Sequence, residues 1–322
     1  MSRGIVFYVS GHGFGHATRN AEIRRALAAI HPELRLHVRS TANFDSGAIE
    51  DGSALRVSPR LTLEAVARVF EARERTIADE AAFIRSNAIT LAVADIPYLA
   101  GDIAEAAGVP CIGIGNFSWE WIYEPYFEEC PEYAHLQPLV RAGYSKMELY
   151  LRLPFSHAGG LEAFQEVRDV PLVARLGRPV ERGSRPRVLL AMRGGIDAGS
   201  LERARDAGAD EFEFLEPDGG HFPDLVRASD AVVSKLGYGT LGECAANGSA
   251  ILYPPRTAFR EEPVLEAAAA RYLRARQIPM PDFESGNWAP HLRKLLAMPA
   301  PVETLETNGA DVCARILESR CS

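Results

Sequence analysis

The 322-residue chain has no paired-cysteine motif, no long apolar run and no excess of basic residues. Its five cysteines, Cys111, Cys130, Cys244, Cys313 and Cys321, are scattered, and none stands in a C-x-x-C pair. That spacing offers neither a structural zinc site nor a redox dithiol, so no metal is expected. An odd, dispersed set suits a reducing compartment, and the expected location is the cytoplasm. The apolar run near the N-terminus covers only five or six residues, too few for a signal-peptide core or a bilayer span. Lys plus Arg number 35 against 43 Asp plus Glu, a net charge of -8. Without a basic excess there is no global field to draw nucleic acid, and none is expected as a partner. No transmembrane segment is expected either, and peripheral membrane contact stays open through a local basic patch alone.

What is present is ordinary globular material: 47% hydrophobic and 24% charged residues, which excludes a disordered or disulfide-scaffold chain. At roughly 150 residues per domain the length suggests two. Residues 4–10 run as a continuous apolar strand, a glycine-rich turn follows, and residues 17–30 read as a helix with Ile23, Leu27 and Ile30 on one face. Strands are expected at 34–40, 90–94 and 109–114, with helices at 61–87 and 98–107 between them. The rhythm breaks over 168–186 (RDVPLVARLGRPVERGSRP) and restarts with strands at 187–192, 212–215, 231–234 and 250–253. Alternation of this kind indicates α/β layers on parallel sheets. The expected division is 1–170 and 171–322, with a last helix near 310–318 free to pack on either half.

Several turns at strand ends carry residue types suited to chemistry. Gly11-His12-Gly13-Phe14-Gly15-His16-Ala17-Thr18-Arg19 joins the first strand to the first helix. In a parallel sheet such a turn lies at the ligand-binding edge, and glycines let the backbone approach a ligand. Its two histidines titrate near neutrality and suit proton transfer. A tight structural turn with solvent-facing histidines is the plain alternative. Ser234-Lys235-Leu236-Gly237-Tyr238-Gly239-Thr240-Leu241-Gly242-Glu243 repeats the geometry in the second half. There Lys235, Gly237, Gly239 and Thr240 can meet phosphates and Glu243 ribose hydroxyls, or the glycines can simply allow close helix–sheet packing. Arg193-Gly194-Gly195 forms a third anion-receptive turn or an ordinary one. Glu261 and Glu262 can bind sugar hydroxyls or begin a helix favourably. Six aromatics fall within residues 116–127, including Trp119 and Tyr123 beside Asn116; they suit stacking on a sugar or a local core under a loop. Asp95, at a strand tip, can orient a histidine or cap the next helix.

The strings GHGFGHATR, NFSWEWIY, RDVPLVAR, SKLGYGTLGE, FREEP and SGNWAPHL resemble, in order and spacing, the N-terminal glycosyltransferase-like region of plant-type arabinokinases. Their kinase half, with its glycine/serine-rich phosphate loop, has no counterpart here, so sugar phosphorylation is not among the expectations. More broadly the second half resembles MurG-like glycosyltransferases. These resemblances imply the GT-B architecture, two Rossmann-like domains facing across a cleft, with a nucleotide-sugar donor, a UDP-sugar in the first place, as substrate rather than cofactor. By the same resemblance Gly237, Gly239 and Thr240 meet the diphosphate; from their places in glycine turns Gly13, Gly15, Arg193, Gly194, Gly195 and Lys235 are expected to bind the donor with them. Glu243 meets the ribose, and Glu261 and Glu262 the sugar. His16 becomes the base that activates an unidentified small-molecule or glycan acceptor with inversion, and Asp95 its partner. His12, Arg19, Asn116, Trp119 and Tyr123 fall on the acceptor side. The string GFGH-x-x-R is also similar to the opening of PseG-type UDP-sugar hydrolases, which use the histidine to activate water. Besides transfer, then, hydrolysis and non-catalytic nucleotide-sugar binding stand as alternatives.

Overall fold

The computed structural model describes residues 3–52, 55–180, 183–192, 198–217 and 219–321. The chain divides into two compact units, one of Met1–Ile49, Val57–Val173 and Glu306–Ser322, the other of Glu50–Arg56 and Ala174–Leu305.

In chain order the first unit contains β1 (Gly4–Val9), α1 (Phe14–Ile30), β2 (Arg35–Arg39), α2 (Pro59–Glu71), α3 (Arg73–Ser86), β3 (Ile89–Asp95), α4 (Leu99–Ala107), β4 (Cys111–Gly115), α5 (Trp119–Glu129), α6 (Gln137–Ser145), β5 (Leu149–Arg152) and β6 (Val167–Asp169). The second unit follows with β7 (Arg187–Leu190), α7 (Ala198–Gly208), β8 (Glu213–Leu215), α8 (Phe222–Ala228), β9 (Ala231–Val233), α9 (Tyr238–Asn247), β10 (Ala250–Tyr253), α10 (Glu262–Tyr272), β11 (Ala275–Gln277), α11 (Met280–Ser285) and α12 (Ala289–Leu296). A final helix, α13 (Gly309–Ser319), returns to the first unit and lies against α1.

The first sheet has the order β2-β1-β3-β4-β5-β6 with every pairing parallel. Strands covered on both faces carry apolar side chains throughout, and each residue of β1 is buried. The second sheet, β11-β10-β9-β7-β8, is also all parallel. Read from its own first strand it repeats the topology of the first: the chain leaves β7 toward β8 on one side, then crosses to β9 on the other. Each unit therefore has a switch point, at β1/β3 and at β7/β9, where connections diverge and leave a crevice at the strand C-termini. The core of the second unit is built on Val188, Leu190, Val233, Leu252 and the stacked pair Phe283–Trp288.

Strand and helix expectations hold to within a few residues, with two differences. The helix expected over 61–87 is two helices that meet at Ala72, the C-cap of α2 and N-cap of α3. The stretch over 168–186 where the rhythm breaks begins as part of the first unit: β6 pairs with β5, and Leu172 N–H donates to the Glu306 carbonyl at 3.0 Å. Among the described residues no helix is long and apolar enough to cross a membrane.

The packing of α13 has a direct test. Leu317 is fully buried, so Leu317→Ala should destabilise the first unit by about 2–5 kcal/mol, measured by denaturant unfolding; a change within error would place α13 outside its core.

Candidate functional site

At the β1/β3 switch point the register places Val9 opposite Asp95, and Ser10 N–H donates to the Asp95 carbonyl at 3.0 Å. The chain turns sharply after Asp95: Ile96 holds φ 70, an unusual value for a β-branched residue. Gly13, the N-cap of α1, holds φ 86, which a side chain would resist. The turn it closes delivers α1 so that residues 16, 19 and 20, related by i, i+3 and i+4, share one face and meet Asp95.

The contacts are dense. His16 Nδ1 lies 2.7 Å from Asp95 Oδ1, and Arg19 Nε donates to Asp95 Oδ2 at 2.6 Å. Arg19 Nη2 also reaches Asp95 Oδ1, and Asn20 Nδ2 donates to Asp95 Oδ2 and, at 2.8 Å, to the His16 carbonyl. Arg19 Nη1 donates to Asn116 Oδ1 at 3.2 Å, joining the loop after β4 to the same cluster. Asp95 is 0% exposed and His16 only 7%. Burial alone would push the Asp95 carboxyl up, but the Arg19 guanidinium and His16 beside it outweigh burial and hold it below the ordinary carboxylate range. Burial is also the largest influence on His16 and lowers its pKa; Asp95 pulls it up and Arg19 pushes it back down. Nδ1 also lies 2.8 Å from Arg19 Nη2, so it donates to Asp95 in one tautomer and accepts from Arg19 in the other.

The remaining first-unit candidates form the surroundings. The His12 ring meets Trp119 edge-on at 5.4 Å, Phe117 meets Trp119 at 5.1 Å, and Phe117 faces His16 at 6.3 Å. Trp119 and Tyr123 are fully buried and stacked at 5.4 Å on α5, so their rings build the wall of this region and present no open face. Gly15 lies in the first turn of α1 and accepts from the Thr18 hydroxyl at 3.1 Å. An added Cβ at Gly11 or Gly13 would meet nothing within 4 Å, so the turn borders open space.

In the second unit, Ser234 Oγ at the end of β9 donates to the Ala191 carbonyl at the end of β7, at 3.2 Å. Gly237 caps α9 with no side chain bonded to the terminus, and Gly239 and Thr240 stand in its first turn, where backbone N–H groups lack intrahelical partners. An added Cβ at Gly237 would also meet nothing within 4 Å, so close packing is not what requires that glycine. Lys235 pairs with Glu50 at 3.0 Å, and Glu243 is buried with Arg175 Nε donating to it at 2.7 Å. Arg193, Gly194 and Gly195 lie outside the described residues. Glu261 is the N-cap residue of α10 and Glu262 its first residue, both buried. Among the described residues no group of three or more His, Cys, Asp or Glu side chains could hold a metal ion.

Sequence reasoning missed Asn20, Ser10, Asp45 and Arg175. The i+4 spacing from His16 could have found Asn20. Asp45 and Arg175 lie in irregular segments with no periodic signal.

Glu262 makes no hydrogen bond through either buried carboxyl oxygen among the described residues, and burial pushes its pKa from 4.5 up to about 7 against the pull of Arg256. A folded-state pKa above the unfolded one contributes stability below the unfolded value that is lost as pH rises through the folded value. Glu262→Gln cannot ionise and should match the parent at pH 4 and exceed it by about 1–3 kcal/mol at pH 8. Urea unfolding at the two pH values checks this, and equal stability at pH 8 would refute it.

No family model matches the chain. It is 29% identical to the L-arabinokinase of Arabidopsis thaliana over 358 residues, covering 98% of this chain and about a third (34%) of that protein's length. Among solved structures it is similar to the glycotransferase of kitacinnamycin, with TM-score 0.69 and 14% identity over the whole of both chains. It is similar also to the glycosyltransferase VinC in complex with dTDP, with TM-score 0.58 and 18% identity over 99% of this chain and 95% of that one. For the glycosyltransferase SnogD from Streptomyces nogalater the TM-score is 0.56, with 16% identity over 99% and 100%. The two repeated parallel-sheet units and these likenesses together show a GT-B fold with two Rossmann-like domains.

Proposed function

We propose that the protein is a glycosyltransferase that moves a sugar from a nucleoside-diphosphate donor to a hydroxyl acceptor with inversion, His16 acting as general base. The observation that carries this reading is the buried His16 imidazole, its pKa lowered chiefly by that burial, held at 2.7 Å from a buried carboxylate at the β1/β3 switch point. Asp95 accepts the Nδ1–H and so directs the Nε2 lone pair to the acceptor. As Nε2 takes the hydroxyl proton, the acceptor oxygen bonds to the anomeric carbon from the face opposite the leaving group. The anomeric C–O bond to the diphosphate breaks, and the nucleoside diphosphate leaves with the electron pair. Asp95 then stabilises the imidazolium, a role that does not require it to become protonated.

On the donor side the uncapped N-terminus of α9 at Gly237 supports a diphosphate site, since helix N-termini favour anions. Backbone donors there can stabilise the departing charge without a metal. Glu243, fixed by Arg175, is the ribose ligand of this reading, and Glu262 the sugar ligand. A UDP-sugar is the first donor to test, because of the arabinokinase and MurG resemblance, and a dTDP-sugar the second, because VinC was captured with dTDP. The phosphotransfer in the arabinokinase's name is not proposed for this chain.

The test is a turnover and thermal-shift screen of UDP-, GDP- and dTDP-sugars. One donor class should stabilise the protein with little hydrolysis in the absence of acceptor. His16→Ala should keep donor affinity and lose about 10²–10⁴-fold in turnover. A fully active His16→Ala would reject the base. Rapid release of free sugar without acceptor would assign the same residues to hydrolysis, with water as the nucleophile. Binding of no donor would overturn the site at 237–243.

A further inference from the structure

Asp45 is a buried acid outside the His16 cluster. It lies in the loop after β2, 2% exposed, and that loop is held from several sides. Phe44 packs edge-on against Tyr8 at 5.0 Å, and the Tyr123 hydroxyl donates to the Gly47 carbonyl at 2.7 Å. Gly47 holds φ 64, and an added Cβ there would come within 2.6 Å of the His12 Cβ, so loop and histidine turn are in close apposition.

The two carboxyl oxygens of Asp45 go to different segments. Oδ1 accepts from Ser10 Oγ at 3.2 Å, and Ser10 Oγ in turn accepts the His12 backbone N–H at 3.3 Å. Oδ2 accepts from the indole Nε1 of Trp119 at 2.9 Å. Trp119 begins α5 and carries the edge contacts to His12 and to Phe117, which faces His16. One side chain thus joins the ends of three strand–loop connections, after β1, β2 and β4. Burial pushes the Asp45 carboxyl from 3.8 up to about 7; the bonds from Ser10 and Trp119 pull it down and the Asp95 charge adds to the rise. A carboxyl in such a place is costly, and an apolar residue would fill the space more cheaply were filling its purpose.

We propose that Asp45 is a positioning residue for the histidine turn: by tying Ser10 to Trp119 it fixes where residues 11–15 lead into α1 and so where the His16 imidazole stands. The proposal rests on the reading of His16 as the base, and the structural link itself can be tested without that reading. Asp45→Asn keeps one acceptor for the Trp119 N–H and turns an amide toward Ser10, whose hydroxyl can accept it. Asp45→Ala removes both links.

The experiment is hydrogen–deuterium exchange by mass spectrometry on the full chain, paired with donor turnover. Asp45→Ala should raise exchange in peptides covering 10–16 and 117–121 and leave peptides of the second unit unchanged, while Asp45→Asn should exchange like the parent. Turnover should fall about 10–100-fold in kcat for Asp45→Ala with donor KM unchanged, and recover in Asp45→Asn. Should Asp45→Ala fail to fold, Ser10→Ala cuts one link alone and should raise exchange at 11–13. Unchanged exchange at those peptides in the folded variant overturns the proposal. A loss in Asp45→Ala spread over the whole chain, or one expressed in KM, also overturns it, since a general structural role predicts that pattern. If the parent turns over no nucleotide sugar, the proposed function fails while the exchange arms still decide the role of Asp45.

Discussion

A carboxylate with no exposed surface, Asp95, sits where β1 and β3 part, and three side chains of α1 are arranged around it. An unpaired charge there would cost several kcal/mol. Arg19 and Asn20 satisfy it from one helical face, while burial, the largest influence on His16, lowers the imidazole pKa against the pull of Asp95. The register of α1, the glycine turn that delivers it and the strained turn at Ile96 all follow from holding this group in place. The same arrangement places the His16 imidazole, its pKa lowered chiefly by burial, against a carboxylate at the sheet edge, the geometry on which the proposed function rests.

The second unit is built differently: among its described residues the turn after β9 holds no buried ionic cluster. Its topology repeats that of the first, and its switch point likewise places a glycine-capped helix at the sheet edge. In the proposed reading the attraction for an anion here comes from the backbone rather than from a charged side chain. Glu243 and Glu262 are both buried acids, yet their settings differ. Glu243 is paired with Arg175, whereas Glu262 is driven toward its neutral form by burial.

Much of this was legible in the residues themselves. Continuous apolar strands of four to six residues separated by amphipathic helices identify parallel sheets, because only strands covered on both faces lack polar alternation. The positions of the 11–15 and 235–240 turns followed from strand–turn–helix order, and Asp95 from its place at a strand tip. The aromatic stretch at 116–127 was ambiguous for a physical reason: ring side chains that line a ligand and ring side chains that build a core have the same composition, and burial of Trp119 and Tyr123 is decided by tertiary contacts. Asp45 was invisible because its partners, Ser10 and Trp119, stand 35 and 74 residues away in sequence. The break at Ala72 likewise carries no glycine or proline to mark it.

The proposed chemistry depends on the state of one ring. Nitrogen-15 NMR of histidine-labelled protein, with His16 assigned by substitution, reads both tautomer and titration across pH 5–8. The expected result is a neutral Nδ1–H imidazole at pH 7 that takes up its proton below the ordinary value of 6.5. An imidazolium at pH 7, or a neutral ring protonated at Nε2, would leave no lone pair for the acceptor and would contradict it.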